Sequence, residues 1–212
     1  MQIGILGGTG NEGQGLALRW ASRGIQVLMG SRDPAKAERI AGRLNEGLDK
    51  PLIVGLSNAD AAEKADIVVS TLPHHGHRQT LEGLRGQLKG KLLMVATIVW
   101  PPGPLDRPSA AEEAQAALGS SVKVVAAFQT VSAGTLRAID NHMEEDTLVL
   151  GDDPGCRRRA VQVISRSGIR AVEAGPLRYA RIVEAVTGLL LKINKTYGVK
   201  SAGLRITGIE GS

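Results

Sequence analysis

The sequence predicts an α/β fold, a doubly wound and mostly parallel sheet with a C-terminal helical extension. Three observations predict it. Short apolar runs alternate with segments of helical period along most of the 212 residues, the pattern of successive βα units. The run Asp66-Ile67-Val68-Val69-Ser70-Thr71-Leu72 is apolar on both faces, as a strand inside a parallel sheet must be. A strand-like opening, Gln2 to Leu6, meets Gly7-Gly8-Thr9-Gly10-Asn11-Glu12-Gly13 at once and then an apolar-periodic run that stops at Gly24.

That first unit carries chemistry. In a G-x-G-x-x-G register the glycines are Gly8, Gly10 and Gly13. The first permits a tight turn, the second lets phosphates approach the backbone, and the third lets the helix sit against the sheet. Open N–H groups and the helix dipole then attract an anion. This is the Rossmann-type arrangement that holds a dinucleotide pyrophosphate. Gly7 and Gly15 lie outside the register, and Gly15 suits a close approach by another element.

The second strand, 26–30, delivers Ser31-Arg32. Asp33 is placed to cap the next helix, Pro34 to open it, and Lys36 to follow in its first turn. NAD sites usually carry an acid here to bond the ribose 2′-hydroxyl. Arg instead pairs with a 2′-phosphate, and Ser donates a hydroxyl to it. Solvated charge explains Arg32 and Lys36 singly but not their joint position. NADP is the expected form of the cofactor.

The remaining elements follow in order. Residues 35–48 read as a helix with Ala37, Ile40, Ala41 and Leu44 facing inward. A third strand covers 52–55, and Asn58 is the expected cap of an alanine-rich helix over 59–64. The fourth strand, 66–72, runs into Leu72-Pro73-His74-His75-Gly76-His77. Ligands of doubly wound sheets lie beyond the carboxyl ends of strands, so Leu72 and Pro73 are expected to wall the nicotinamide ribose. The three histidines diverge on a regular element and no acidic cluster accompanies them; a surface helix start is expected, and no metal site.

A helix over 79–88 leads to a fifth strand, 92–97, and to the proline-stiffened loop Ile98-Val99-Trp100-Pro101-Pro102-Gly103-Pro104. Trp100 either covers a planar ring or plugs this loop. Ser109 should cap a helix over Ala110–Leu118, with Glu112 and Glu113 in its first turns. The sixth strand, 122–128, delivers Gln129, Thr130 and Ser132 to the ligand side as neutral hydrogen-bonding groups. A strand over 147–151, a helix over 156–167 and an edge strand over 170–173 complete the sheet.

Beyond Gly175-Pro176-Leu177 an apolar stripe of Val183, Val186, Leu189, Leu190 and Ile193 marks a helix over 182–193. It is expected to pack back over the main sheet and help form a cleft. Residues 199–206 read as an arm or short strand, and Gly211-Ser212 as a frayed end. The chain therefore divides into a nucleotide-binding domain over 1–174 and an extension over 175–212 that completes the cleft.

Composition narrows the function. A net charge of +5 suits anionic small ligands. Arg157-Arg158-Arg159 reads as a solvated helix face, and no nucleic-acid recognition module is visible. Aromatics at 2% leave an aliphatic core and argue against a base-stacking platform. The lone Cys156 supports neither a disulfide framework nor a cysteine metal site. No leader pattern or bilayer-spanning stretch is present, so the expected location is the cytoplasm, with no membrane partner.

The motifs together resemble the NADPH-dependent reductases of coenzyme F420, the F420H2:NADP oxidoreductases. The resemblance is carried by Ile5-Leu6-Gly7-Gly8-Thr9-Gly10-Asn11 with Gly13 and Gly15, then by Gly30-Ser31-Arg32 and Lys36. Asn58-Ala59-Asp60-Ala61-Ala62, Thr71-Leu72-Pro73, Gly151-Asp152-Asp153 and Ala174-Gly175-Pro176-Leu177 extend it nearly end to end. It implies a Rossmann-type domain with C-terminal helices, usually a homodimer. It implies that Thr9, Ser31, Arg32 and Lys36 hold the 2′-phosphate and that the pyrophosphate lies over Gly10, Asn11 and Glu12. Leu72 or Pro73, Val99 and Ala133 would line the nicotinamide side, with the arm near Ala202 reaching the cofactor. Hydride would pass directly between C4 of NADPH and C5 of F420. The sequence differs from the usual family text at Gln129-Thr130-Val131-Ser132, at His74-His75 and at Trp100-Pro101-Pro102-Gly103, all on the side of the second substrate.

Direct transfer between two redox cofactors needs ring contact, orientation and exclusion of water, and no proton relay or catalytic side chain is expected. No Tyr-x-x-x-Lys arrangement suited to an alcohol dehydrogenase is present; Tyr179 and Tyr197 are isolated. Two other readings stay open: an NADPH-dependent reductase of a flavin, imine or carbonyl acceptor, and a non-catalytic NADP-binding sensor.

Overall fold

Strand β1, Gln2–Leu6, lies at the middle of the sheet because its residues are apolar on both sides and all but Gln2 are buried. The structure, a computed structural model, describes residues 1–102, 105–140 and 142–209. Gly103 and Pro104 of the proline loop and the terminal Gly211-Ser212 fall outside the described residues. Helix α1 (Asn11–Ala21), β2 (Gln26–Ser31), α2 (Pro34–Asn45), β3 (Ile53–Ser57), α3 (Asn58–Lys64) and β4 (Ile67–Ser70) follow. Then come α4 (His77–Gly83), α5 (Arg85–Leu88), β5 (Leu92–Val95), α6 (Ala110–Leu118) and β6 (Lys123–Ala126). The chain closes with α7 (Ala133–Arg137), β7 (Asp146–Leu150), α8 (Pro154–Ser165), β8 (Arg170–Gly175) and α9 (Ala180–Tyr197).

Among the described residues the strands form one sheet in the order β3-β2-β1-β4-β5-β6-β7-β8. Every pairing is parallel except that of β6 with β7. This is the doubly wound, mostly parallel sheet that the sequence predicts. The order reverses between β1 and β4, which opens a crevice at their carboxyl ends. Alternate residues of β4 enter opposite cores. Ile67 and Val69 join Ile3, Leu16, Trp20 and Met29 on one face, and Val68 joins Leu6, Leu81, Leu93 and Val124 on the other. Trp20 meets Phe128 edge to face at 6.0 Å.

Local sequence explains the element ends. Asp33 Oδ1 accepts the Lys36 N–H at 3.1 Å, and Pro34 opens α2. Ser109 and Glu112 form a reciprocal capping box on α6. Glycines allow close helix contacts. A Cβ on Gly13 would lie 2.6 Å from the Gly8 Cα, and one on Gly15 would lie 2.5 Å from the Leu136 Cβ on α7. Buried Arg19 on α1 reaches the same helix, donating to the carbonyls of Thr135, Leu136 and Ala138.

Several expectations need correction. Asn58 is not the cap of α3: Ser57 caps it, accepting the Asp60 N–H at 3.0 Å. The helix over 79–88 breaks at Leu84 into α4 and α5. The fourth strand ends at Ser70, so Thr71 and Leu72 already belong to the loop. His77 is not at the surface; it is fully buried at the start of α4. Helix α9 packs against α6 and the loops at the carboxyl edge, and its Ala180 and Val183 join the core on one face of the sheet. The arm after it is no strand, but it is pinned. Asp146 N–H donates to the Leu204 carbonyl at 2.7 Å, and Ile206 N–H to Asp146 Oδ2 at 2.6 Å.

Candidate functional site

The glycine turn after β1 is held open from below. Gly7 adopts a left-handed φ of 71°, which a side chain would strain, and its N–H donates to Asn58 Oδ1 at 3.1 Å. Gly8 N–H donates to the Gly30 carbonyl at 2.9 Å, which brings the Ser31-Arg32 corner alongside the turn. Gly10 is the N-cap of α1 and supplies no side-chain cap. A Cβ there would meet only the Gly7 carbonyl, at 3.6 Å, so the backbone faces open space. The first-turn N–H groups of α1 are thus presented outward, as an anion site requires. Gln14 Nε2 secures the Thr9 carbonyl at 2.6 Å.

Positive charge surrounds this helix end. Ser31 is buried and its Oγ accepts the Asp33 N–H at 3.2 Å. Arg32 and Lys36 are exposed, and neither side chain has a partner among the described residues. Arg137, from α7, donates to Asn11 Oδ1 at 3.2 Å and Gln14 Oε1 at 2.7 Å. Sequence reasoning missed it, because no local motif links residue 137 to the turn.

Beyond the turn lies a cleft of about 420 Å³ at the switch point. Glu12 enters it from α1, residues 71–74 from the loop after β4, Ile98 and Trp100 from the loop after β5, and Phe128, Gln129, Val131 and Ala133 from the loop after β6. Thr187 of α9 closes one side. The walls are held by hydrogen bonds. Thr97 Oγ1 donates to the Leu72 carbonyl at 2.8 Å, Gln129 Nε2 to the Val95 carbonyl at 2.9 Å, and Thr187 Oγ1 to the Gln129 carbonyl at 2.8 Å. Phe128 sits at a left-handed φ of 79°, a strained state for an aromatic residue, and its N–H is tied to Thr147 Oγ1 at 2.6 Å.

Thus Glu12, Leu72, Pro73 and Ala133 meet in one cleft, with Thr9, Gly10 and Asn11 in the turn beside it. Val99 is buried behind the wall, where its N–H donates to Glu184 Oε2 at 3.0 Å; its neighbours Ile98 and Trp100 face the cleft. Ala202 lines an adjoining hollow of about 170 Å³ that shares Gln129, Val131, Ala133 and Thr187 with the cleft. Thr130 does not face the ligand side as a free group: it is buried and donates to the Asp146 carbonyl at 2.7 Å. Ser132 Oγ caps α7, accepting the Gly134 N–H at 3.2 Å. Trp100 does not plug its loop; it is 64% exposed at the cleft rim.

Two acids at the cleft and its wall have raised pKa values. Glu12 is half-buried as a residue, yet burial of its carboxyl group pushes the pKa up to about 8. Burial likewise pushes Glu184 up to about 7, against the opposing pull of the Val99 and Ala110 N–H groups it accepts. Glu184 fastens α9 to the cleft wall; its signal was an acid inside an otherwise apolar helical stripe. His74 Nε2 pairs with Glu113 Oε2 at 3.0 Å. No group of three or more His, Cys, Asp or Glu among the described residues could hold a metal ion.

A family model described as NADP oxidoreductase coenzyme F420-dependent matches residues 2–97. The chain is 37% identical to the F420-dependent NADP reductase of Methanocaldococcus jannaschii, over 99% of this chain and 100% of that relative. It is also 37% identical to the F420-dependent NADP reductase of Methanothermobacter thermautotrophicus, over 99% of this chain and 96% of that relative. The fold is similar to the crystal structure of a candidate F420-dependent NADP-reductase from Arthrobacter sp. FB24, with a TM-score of 0.82, 22% identity and coverage of 97% and 98% of the two chains. It is also similar to Plasmodium falciparum pyrroline carboxylate reductase with NADP bound, with a TM-score of 0.63, 16% identity and coverage of 93% of this chain and 66% of that one.

Proposed function

The chain belongs to the F420-dependent NADP reductase family, and from that premise we propose that it carries a hydride directly between NADP(H) and the deazaflavin coenzyme F420. The reading rests on one juxtaposition. An uncapped helix start beside unpartnered Arg32 and Lys36 adjoins a cleft walled by Leu72, Pro73, Trp100 and Phe128 at the switch point.

In this reading the first-turn N–H groups at Gly10, Asn11 and Glu12 receive the pyrophosphate, with Arg137 beside them. Thr9, Ser31, Arg32 and Lys36 hold the 2′-phosphate. Leu72, Pro73 and Ala133 flank the nicotinamide, Val99 backs the wall from within, and Ala202 borders the second hollow. Bound NADPH supplies the hydride that F420 accepts. The protein holds the two rings in place: the hydrogen bonds of Thr97, Gln129 and Thr187 fix the walls, and the apolar lining excludes water from the hydride transfer. Residues 1–174 form the nucleotide-binding unit, and residues 175–212 complete the cleft through Thr187 and the arm.

The working form is a homodimer, to which the exposed apolar side chains Ile182, Leu189, Leu191 and Tyr197 of α9 are suited. The compartment is the cytoplasm; no helix among the described residues is long and apolar enough to cross a membrane. The test is to mix the protein with NADPH and a panel of F420, flavin, imine and carbonyl acceptors. F420 should be reduced fastest, and NADH should serve poorly. Sedimentation would report the dimer.

A further inference from the structure

We propose that Glu12 is a catalytic residue of this site: its carboxyl group gives a proton to F420 as F420 accepts the hydride, and takes it back in the reverse direction. The proposal rests on NADPH and F420 being the substrates. The balance is NADPH + F420 + H⁺ giving NADP⁺ + F420H2. The C–H bond at C4 of NADPH breaks and its electron pair forms a C–H bond on F420. The Glu12 O–H bond breaks as an N–H bond forms on the deazaflavin ring, and solvent reprotonates the carboxylate.

Geometry points to Glu12. It lines the cleft with Leu72, Pro73 and Ala133, where the two rings would meet. Only it and His74 among the lining residues carry an acidic or basic side chain. The His74 ring is already paired with Glu113 at 3.0 Å. Glu12 has no hydrogen-bond or ion-pair partner among the described residues. The nearby cation of α7, Arg137, is directed at Asn11 and Gln14. The other walls present Trp100, Gln129 and Thr187, none of them charged.

Charge agrees with geometry. A carboxyl with its pKa near 8 is neutral at pH 7 and holds a proton to give. The neutral form also avoids repelling a pyrophosphate at the same helix end. Loss of hydride makes the nicotinamide cationic, which favours the carboxylate at the moment it forms. The sequence offers no sign of this, since an acid in the first turn of a helix reads as ordinary dipole compensation.

Calorimetric binding at pH 8, in two buffers of different ionisation enthalpy, measures protons taken up with each redox form. Wild type should take up more protons with NADPH than with NADP⁺, and Glu12→Gln should abolish the difference. The rate of F420 reduction should fall above about pH 8 in wild type. In Glu12→Gln, at saturating NADPH, it should be flat there and at least about tenfold lower at pH 7. Equal proton counts in wild type would overturn the proposal without any variant. So would a variant that keeps the wild-type pH limb. Failure of wild type to reduce F420 would instead remove the reading on which the proposal stands.

Discussion

Replacing Arg32 by Ala isolates the 2′-phosphate contact. The guanidinium is exposed and has no partner among the described residues, so its removal leaves no buried group unsatisfied and should barely change stability. The effect should fall on the ligand. A charge-assisted hydrogen bond contributes about 1.5–3 kcal/mol, or roughly 10–150-fold in affinity. Exposure to solvent and to mobile ions draws the value toward the lower end, and Lys36 remains to hold part of the charge. The expected loss in NADPH affinity is therefore about tenfold to thirtyfold, larger at low ionic strength. NADH lacks the phosphate and should bind as before. Fluorescence titration of both nucleotides, at two salt concentrations, measures this. An equal loss for NADPH and NADH, or no dependence on salt, would refute the assignment of Ser31-Arg32 as a phosphate cup.

Three further outcomes test other parts of the site. Gly13→Ala places a Cβ 2.6 Å from the Gly8 Cα and 2.8 Å from its carbonyl oxygen, so backbone must yield. Urea unfolding should show a loss of about 1–3 kcal/mol, with weakened NADPH binding. Glu184→Gln leaves one of two buried N–H groups, Val99 or Ala110, without its acceptor. It should cost about 1–3 kcal/mol, raise the KM for F420 and spare NADPH affinity, because the loosened wall is the one carrying Trp100. His77 is buried, both ring nitrogens lack partners, and burial followed by repulsion from His74 lowers its pKa from 6.5 to about 4. The unfolded chain therefore binds the extra proton first. Stability should be intact above pH 6.5 and fall by about 3 kcal/mol as pH drops toward 4. Thermal melts of His77→Leu should show a flatter profile over that range.

Most of the fold was legible because it is written in local chemistry. Asp33-Pro34 and Ser109 mark helix starts through backbone N–H groups one turn away, and the apolar run at β4 implies burial on both faces. The glycine turn was legible for the same reason. The misses are tertiary. Asn58 looked like a cap, but its neighbour Ser57 does that work and Asn58 Oδ1 supports Gly7 across 51 residues. Thr130 looked available for ligand until β7 came in antiparallel beside β6 and drew its hydroxyl to Asp146. Arg137 and Glu184 act through partners far away in the chain, which no spacing rule connects. The α9 stripe has the right period for a buried face, but period alone does not say which surface it covers: Val183 and Leu190 are buried while Leu189 is exposed.

Direct passage of hydride is the central claim, and isotope transfer tests it most directly. Wild-type protein is mixed with F420 and NADPH carrying deuterium at the transferring position of C4, and the reduced product is read by mass spectrometry and proton NMR. The account predicts one deuterium bound to C5 of F420H2, with none washed out to solvent. Hydrogen from water at that carbon, or no reduction of F420 while another acceptor turns over, would contradict it.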